Sequence, residues 1–355
     1  MAKKQTPWAV LVTLAGATSA VWIIIRQRRR PHAAQAGLPL SPAEAPSKAE
    51  DMPVVEQEPP PSPEGEAPPA PKPAAWRELE PADPADPVPH TVHRLMPGVD
   101  GWQLVGASRR GKMHAHNGSY REDAFAMDVT GRWHIIAVSD GAGSARLSRV
   151  GSRLIVETAL AHMKQALTAE PRPSPERLHQ ALDEALQAAH AAVHQEAKRR
   201  ELPVKEFSAT FLLLIHGEVE GGHAIGSIQV GDGLIALKSQ DGVIESLAER
   251  DSGTYGGETY FLTSRPAEHW LERGVVRRLE QPPKFLVAMS DGVADDFIPY
   301  ETYLPGLFDE LEKLVAPDGA QNKRVDQALL DLIGYDKRGS FDDRTLVMLY
   351  RKPAR

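Results

Sequence analysis

Ile135-Ile136-Ala137-Val138-Ser139-Asp140-Gly141 and Phe285-Leu286-Val287-Ala288-Met289-Ser290-Asp291-Gly292 follow one plan: a short apolar run of strand formers that stops at Ser-Asp-Gly. A buried strand fixes its last residue in space, and Gly lets the chain turn away at once. Two carboxylates held this way, far apart in sequence, can converge on one hard cation. Glu122-Asp123 upstream and Asp342-Asp343 near the end supply further acids, and the set points to a divalent-metal site. One isolated Ser-Asp-Gly reads more simply as a turn. Asp241-Gly242, between the polar Lys238-Ser239-Gln240 and Val243, reads as only that.

A length of 355 residues suggests about two domains, but the first quarter of the chain lacks the residues for a packed core. Trp8 to Ile25 is apolar or small and carries no charge, near the lower limit of about 17–25 residues for a spanning helix. Trp8 and Trp22 suit the membrane–water interface. Lys3 and Lys4, followed by Ala17-Thr18-Ser19-Ala20, also fit a cleaved signal peptide. Against cleavage, apolar residues continue through Ile25, and Arg26, Arg28, Arg29 and Arg30 follow directly. Basic residues resist translocation. The expectation is therefore a single-pass membrane anchor with the bulk of the chain on the cytoplasmic side. Beside an apolar span the Arg cluster suits anionic headgroups better than nucleic acid.

Pro31 to His90 holds more than half of the 30 prolines, with much Ala and Glu and few large apolar residues. Such a segment cannot bury enough surface to offset its ordering entropy. It reads as a disordered tether that reaches up to about 200 Å when fully extended. Cysteine is absent, which excludes disulfides, thiolate metal sites and a Cys nucleophile.

From about Asp100 to Tyr350 the pattern is that of one α+β domain. Strands are expected at Phe125–Val129, Trp133–Val138, Thr210–Ile215, His223–Val230, Leu234–Leu237, Phe285–Met289 and Thr345–Tyr350. Gly131, Gly217 to Gly222 and Gly231 to Gly233 mark short turns that favour antiparallel hairpins. Between them lie two helices. Ser148 is the expected cap of the first, which runs towards Ala169; Ser174-Pro175-Glu176 opens the second. Leu178, Leu182, Leu186, Ala189 and Val193 share one face of that helix. His190 and His194 are also four apart, but no acid lies between them in the metalloprotease arrangement, and they read as a solvated face. Strands, then helices, then strands argue for two packed sheets with helices outside. Strand ends gather at the mouth between the sheets, where Asp140 and Asp291 should meet.

The candidate ligands are Glu122, Asp123, Asp140 with the Gly141 carbonyl, Asp232, Asp291 and Asp342. All are hard oxygen donors, which suit Mg2+ or Mn2+ rather than zinc or copper. Several carboxylates can hold two such ions. A metal pair acidifies a bridging water and clamps a phosphoryl group during in-line displacement, so phosphomonoester hydrolysis is the reaction this set serves best.

The order Glu122-Asp123-Ala124, Val138-Ser139-Asp140-Gly141, Val230-Gly231-Asp232-Gly233, Met289-Ser290-Asp291-Gly292 and Gly339-Ser340-Phe341-Asp342-Asp343-Arg344-Thr345 resembles the metal-dependent PPM-type (type 2C) Ser/Thr protein phosphatases. The likeness is to a bacterial branch, on Asp140-Gly141-Ala142-Gly143-Ser144-Ala145 and Gly257-Glu258-Thr259-Tyr260-Phe261-Leu262-Thr263-Ser264. It implies a four-layer αββα sandwich of two mainly antiparallel sheets. It also implies that Asp140 bridges two metals with the Gly141 carbonyl on one, that Asp291 and Asp342 bind the other, and that Glu122 and Asp123 hold metal-bound waters. Asp232 would serve a third ion. Asp140, Asp291, Asp342 and Asp123 are thus the expected catalytic set, with Mn2+ or Mg2+ as cofactor. A phosphorylated protein is the implied substrate, with a Ser/Thr kinase system as a further partner. On this reading residues 1–7 are a tail, 8–25 the anchor, 26–95 the linker and 96–352 the phosphatase domain.

Two positions depart from the family pattern. Many members carry a phosphate-gripping Arg where this chain has Gly118; Arg121, His116 or Lys112 are the nearby substitutes. Eukaryotic members often place His after the metal-binding Asp-Gly, where this chain has Ala142, so the leaving group lacks that acid. These departures motivate a second reading, a pseudophosphatase that binds phosphoproteins without turnover. Glu258, Thr259 and Ser264 either contact substrate or lie where Tyr260-Phe261-Leu262 packs its segment onto the sheet. A nucleotide-dependent kinase is disfavoured because no Gly-x-x-x-x-Gly-Lys-Ser/Thr loop occurs. A mildly acidic domain does not suit nucleic acid.

Overall fold

The computed structural model describes residues 76–251, 259–316 and 323–352. The chain enters along an edge strand, β1 (Thr91–Pro97), and turns into the buried β2 (Trp102–Arg109). A short helix, α1 (Lys112–Asn117), leads to the hairpin of β3 (Ala124–Thr130) and β4 (Trp133–Ser139). Two long helices follow, α2 (Ser148–Ala169) and α3 (Pro175–Arg199). The strands resume with β5 (Phe211–Val219), β6 (Gly222–Val230), β7 (Leu234–Lys238), β8 (Ile244–Ser246) and β9 (Val275–Leu279). Then come β10 (Phe285–Met289), α4 (Asp291–Ala294), α5 (Tyr300–Val315), α6 (Val325–Leu332) and β11 (Arg344–Arg351).

The strands form two sheets, in the orders β1-β2-β11-β10-β7-β8 and β3-β4-β5-β6-β9. Every strand pair between named neighbours is antiparallel. Ile136, Val138, Leu212 and Leu214 of one sheet meet Leu104, Ile235, Leu286 and Val347 of the other in the central core. The opposite faces are also buried, one under α2 and α3 and the other under α5 and α6. Strands covered on both faces read as continuous apolar runs, as Phe211 to Ile215 and Phe285 to Met289 do. The αββα architecture expected from the sequence is present.

Ser174 caps α3 as expected, its Oγ accepting from the Arg177 N–H at 3.2 Å, with Pro175 as the first helical residue. Ser148 does not cap α2: the cap residue is Leu147, and Ser148 is already helical and buried. The turn around Asp241-Gly242 is a plain reversal between β7 and β8, with the Gly242 N–H donating to the Ser239 carbonyl. Gly217 lies inside β5 rather than in the turn. Gly231 to Gly233 does not close a hairpin either. Here the chain leaves one sheet and enters the other, which puts Asp232 in the gap between them. Gly231 has φ +118°, and a Cβ there would lie 2.5 Å from Thr210 Cγ2.

The linker expected over 26–95 extends too far. Trp76 to His90 is laid along the domain as a strap, and β1 begins at Thr91. Composition misleads because the strap is held through its backbone rather than by its own apolar side chains. Arg110 donates to the Leu79 carbonyl, Tyr120 to that of Asp83, Arg121 to that of Pro89, and Arg149 to those of Ala85 and Asp86. Arg200 grips the Asp86 carboxylate through two bonds. The expected tail and span at residues 1–25, and the linker through residue 75, lie outside the described residues. Among the described residues no helix is long and apolar enough to cross a membrane.

Candidate metal centre

Both Ser-Asp-Gly segments end central strands at the same mouth of the sandwich, and in each the serine locks the aspartate. Ser139 Oγ donates to the Thr210 carbonyl at 2.6 Å, while the Asp140 backbone exchanges two 2.8 Å bonds with Thr210. Ser290 N–H donates to the Thr345 carbonyl, and Ser290 Oγ accepts from the Thr345 N–H, both at 3.0 Å. The result is that Asp140, Asp291 and Asp232 each bring a carboxylate oxygen within 4.8 Å of the others. Asp140 follows β4, Asp291 follows β10 and Asp232 comes from the crossing between β6 and β7.

Glu122 and Asp123 arrive just before β3. Asp123 Oδ2 accepts from Ser290 Oγ and Thr345 Oγ1, both at 2.7 Å, which ties it to the ends of β10 and β11. Glu122 lies against Gly141. Asp342 is exposed at the rim and groups with His114 and Asp343, their ligand atoms within 4.8 Å of one another. Its charge is felt at both Asp140 and Asp291. The expected ligands therefore gather at one mouth, with Asp232 nearer Asp140 and Asp291 than a peripheral third site suggests.

The electrostatics are those of acids crowded out of water. Loss of solvation, then the charges of Asp291 and Asp123, hold the Asp140 pKa well above the usual carboxylate range. Burial pushes Asp291 up to about 7, with Asp232, Asp342 and Asp123 adding repulsion. Glu122 is also raised to about 7 and Asp123 to about 6, in both cases chiefly by burial. Among the described residues, four buried carboxylate oxygens of this cluster have no hydrogen-bond partner: Glu122 Oε2, Asp123 Oδ1, Asp232 Oδ1 and Asp291 Oδ1. Buried polar atoms are normally paired, and unpaired carboxylate oxygens facing one another call for a cation. The donor set fits hard divalent ions.

Three further residues shape the centre: Asp343, read from sequence only as one of a pair of acids, and His114 and Arg250, which the sequence reading did not single out. Asp343 is buried and works as a staple: Oδ1 accepts from the Gly111 N–H at 2.6 Å and bonds His114 Nδ1 at 2.8 Å, while Oδ2 accepts from the N–H groups of Glu122 and Asp123. His114 on α1 points Nε2 at Glu122 Oε2, 3.6 Å away. Burial alone lowers an imidazole pKa, but the bond to Asp343 and the charges of Asp343, Glu122 and Asp342 raise this one to about 9. Arg250 donates to the Asp232 carbonyl and to Asp295, and lies over the Tyr300 ring. The doubled acid Asp342-Asp343 was a signal for the first; His114 and Arg250 carry none that is local.

The three substitutes named for the missing Arg do not face the acids freely. Arg121 is buried behind the Glu-Asp pair, donating to the Pro89 carbonyl, Ser108 Oγ and the Asp123 carbonyl. It braces Asp123 and is not open to phosphate. His116 accepts from the Arg77 N–H and lies against Trp76. Lys112 pairs with Asp336 at 2.7 Å. Gly118 itself ends α1 at φ +65°, beneath the strap, where a Cβ would lie 3.3 Å from the Glu80 carbonyl. Ala142 is buried, with its N–H on the Ser208 carbonyl. His190 and His194 lie against each other with tilted rings, and His190 bonds the Arg265 carbonyl. Of the Gly253 to Ser264 segment, residues 253–258 lie outside the described residues. Leu262 and its neighbours pack against Trp270, whose Nε1 donates to the Leu262 carbonyl.

With this geometry in place, the sequence profile described as Protein phosphatase 2C matches residues 110–331, more than half of the chain. The chain belongs to the protein phosphatase 2C family. A curated relative, the Serine/threonine-protein phosphatase 3 of Escherichia coli K12, is 29% identical over 178 residues, which cover 48% of this chain and 66% of that protein. The chain thus spans just under two thirds of that relative's length. The serine-threonine phosphatase 2C from Toxoplasma gondii shares the fold with a TM-score of 0.51 and 15% identity, over 75% of this chain and 100% of that one. The catalytic domain of PstP in complex with two manganese ions gives a TM-score of 0.46 and 20% identity, over 70% of this chain and 97% of that one. The 2C profile ends before Asp342 and Asp343, whose place in the centre rests on geometry alone.

Proposed function

We propose that this protein is a Mn2+- or Mg2+-dependent phosphatase that hydrolyses phosphoserine and phosphothreonine in proteins. One observation carries the reading: Asp140, Asp232 and Asp291 converge from three strand ends, and Asp232 and Asp291 each turn an unpaired, buried oxygen into the cluster. Membership of the 2C family supports it. Asp140, Asp291, Asp342, Asp232 and the Gly141 carbonyl would hold the ions, with Glu122 and Asp123 turned to their waters. When bound, such ions acidify water for attack on phosphorus and offset the phosphate charge. The chain's own part is to position. Ser290 and Thr345 fix Asp123, Asp343 fixes Glu122 and His114, and Thr210 fixes Asp140. His114 keeps a positive charge beside Glu122, and Arg250 keeps one at the Asp232 side, so these two, rather than Arg121 or His116, are the cations we place nearest a bound phosphate.

Activity should appear as EDTA-sensitive release of p-nitrophenol from p-nitrophenyl phosphate in Mn2+. Asp140→Ala and Asp291→Ala should each lower the rate by at least about 100-fold, as expected for loss of a metal-held nucleophile. Full-rate release in EDTA would refute the reading. Nothing in the site favours the non-catalytic alternative, since every carboxylate position is filled.

The anchor at residues 8–25 belongs to the same proposal, with the catalytic domain on the cytoplasmic side of the membrane and the proline-rich linker as its tether. The uncharged apolar run and the Arg cluster after it support this. A phosphoprotein of a membrane-associated Ser/Thr kinase system is the substrate such a tether favours. Recovery of the full chain in a carbonate-washed membrane fraction, with the domain protected in sealed spheroplasts, is the expected outcome. A soluble full chain would overturn it.

A further inference from the structure

A cavity adjoins the acid cluster and is not explained by it. The strap at Trp76–Glu78, the end of β2, the start of α1 and the turn from Ile333 to Asp342 enclose about 280 Å3. Asp342 forms part of its wall, so the cavity opens beside the proposed reaction centre. Trp76 is held there by the Phe341 ring, 4.7 Å away, and by the Arg77 N–H bond to His116.

The charge of this cleft is unbalanced. Arg110 is buried in its floor and bonds His90 Nε2 and the Leu79 carbonyl, with no carboxylate in direct contact, although Glu80 reaches His90 Nε2 at 3.3 Å. Lys112 is matched by Asp336. Arg77 and Arg109 are exposed on the cleft and, among the described residues, neither makes an ion pair. Glu78, Asp336 and Asp342 are the exposed acids of the lining. Arg109 lies in the field of Asp331 and Asp336 without a direct pair. The lining still carries more guanidinium and ammonium groups than carboxylates, and such an excess makes a site for an anion, which arginine recognises through paired hydrogen bonds.

We propose that this cleft receives an anionic side chain, a carboxylate or a second phosphate, close to the phosphorylated residue of a protein substrate, with Arg77 and Arg109 as its counter-charges. The inference rests on the phosphatase reading and adds a specificity site to it. An extended peptide advances about 3.3 Å per residue, so a residue a few places from the phosphoresidue spans the distance from the acids past Asp342. The strap wall precedes residues 110–331, the part matched by the family profile.

The test uses the full chain, its Arg77→Glu/Arg109→Glu variant, and three phosphoserine peptides flanked by Ala, by Glu or by a second phosphoserine. Both side chains are exposed, so the variant should fold, and its rate on p-nitrophenyl phosphate should stay within about twofold. The natural chain should show about fivefold or greater preference in kcat/KM for the Glu-flanked or doubly phosphorylated peptide over the Ala-flanked one. The preference should sit in KM, shrink in high salt and vanish in the variant, as for partly exposed ion pairs. Equal kcat/KM for all three peptides in the natural chain, or equal loss on every substrate in the variant, would overturn the proposal. Should no substrate be turned over, the phosphatase reading fails by itself. Fluorescence anisotropy with the labelled, unphosphorylated Glu-flanked peptide then decides the cleft: binding at least about fivefold weaker in the variant supports it, and equal binding refutes it.

Discussion

Ser290 shows how much of the centre depends on groups that never touch a metal. Its hydroxyl donates to Asp123 and accepts from the Thr345 backbone, so Ser290→Ala leaves a buried carboxylate oxygen and a buried N–H short of partners. The expected result is a loss of about 1–3 kcal/mol in stability, read by urea unfolding, with a rate on p-nitrophenyl phosphate about tenfold lower. Asp343→Asn tests the staple. Without that charge His114 should titrate well below about 9, visible in its imidazole NMR shifts, and Mn2+ affinity should fall about 10–100-fold, as for partners that orient ligands. An unchanged His114 titration would remove Asp343 from this role. The acids at strand ends were legible because an apolar run that stops at Ser-Asp-Gly is a local pattern. His114, Arg250 and the bracing role of Arg121 were not, because each depends on residues brought in from other elements. Arg121 and Ser108, for example, meet only because β2 passes behind the Glu-Asp pair.

The elements read correctly from sequence are those with strong periodicity or uniform apolarity, such as α3 with its Ser174 cap and the buried strands β4, β5 and β10. β1 mixes exposed and half-buried residues without alternation at a sheet edge, and β9 carries Arg277 and Arg278, so neither forms an apolar run. The strap is the larger miss, because its order comes from arginines elsewhere. Removing it should therefore harm the domain. A fragment starting at Thr91 leaves Arg110, Arg121 and Arg149 without the carbonyls of Leu79, Pro89, Ala85 and Asp86. Unpaired buried donors cost about 1–3 kcal/mol each. That fragment should melt well below one starting at Trp76, by roughly 2–4 °C per kcal/mol lost, in a fluorimetric melt without metal. Equal melting temperatures would return the strap to the status of linker.

Across the whole molecule, two buried ionisable clusters sit at opposite ends of the sandwich and respond to pH in opposite senses. At one mouth are the acids. At the other, about 20 Å away along β4 at roughly 3.3 Å per residue, His134, His216 and His223 form a hydrogen-bonded row beside Trp102. The Val99 N–H donates to His134 Nε2, so neutral His134 passes its Nδ1 proton toward His216, which in turn donates from Nε2 to His223. Burial lowers His134 to about 4, despite Glu218 and Asp100 nearby. It also lowers His216, helped by the other two imidazoles, and His223, where Arg351 opposes Glu218. An unfolded histidine takes its proton near 6.5, so stability is lost as pH falls from about 6.5 towards 4, where the unfolded chain binds more protons. The acids act the other way. Without metal, Asp291 and Glu122 near 7 and Asp123 near 6 bind protons that the unfolded chain has already released. Stability then falls as pH rises from about 4 through 7. Bound cations should cancel this second effect and leave the first. Melting curves in EDTA should therefore fall as pH climbs from about 6 to 8, whereas in saturating Mn2+ the carboxylate part of that decline should disappear, leaving the loss below about 6.5 and the smaller decline from His114, raised to about 9. A metal-independent profile would mean that the carboxylates do not share the charge repulsion assigned to them. Loss of the acid limb in Mn2+ would clear the histidine row of its part.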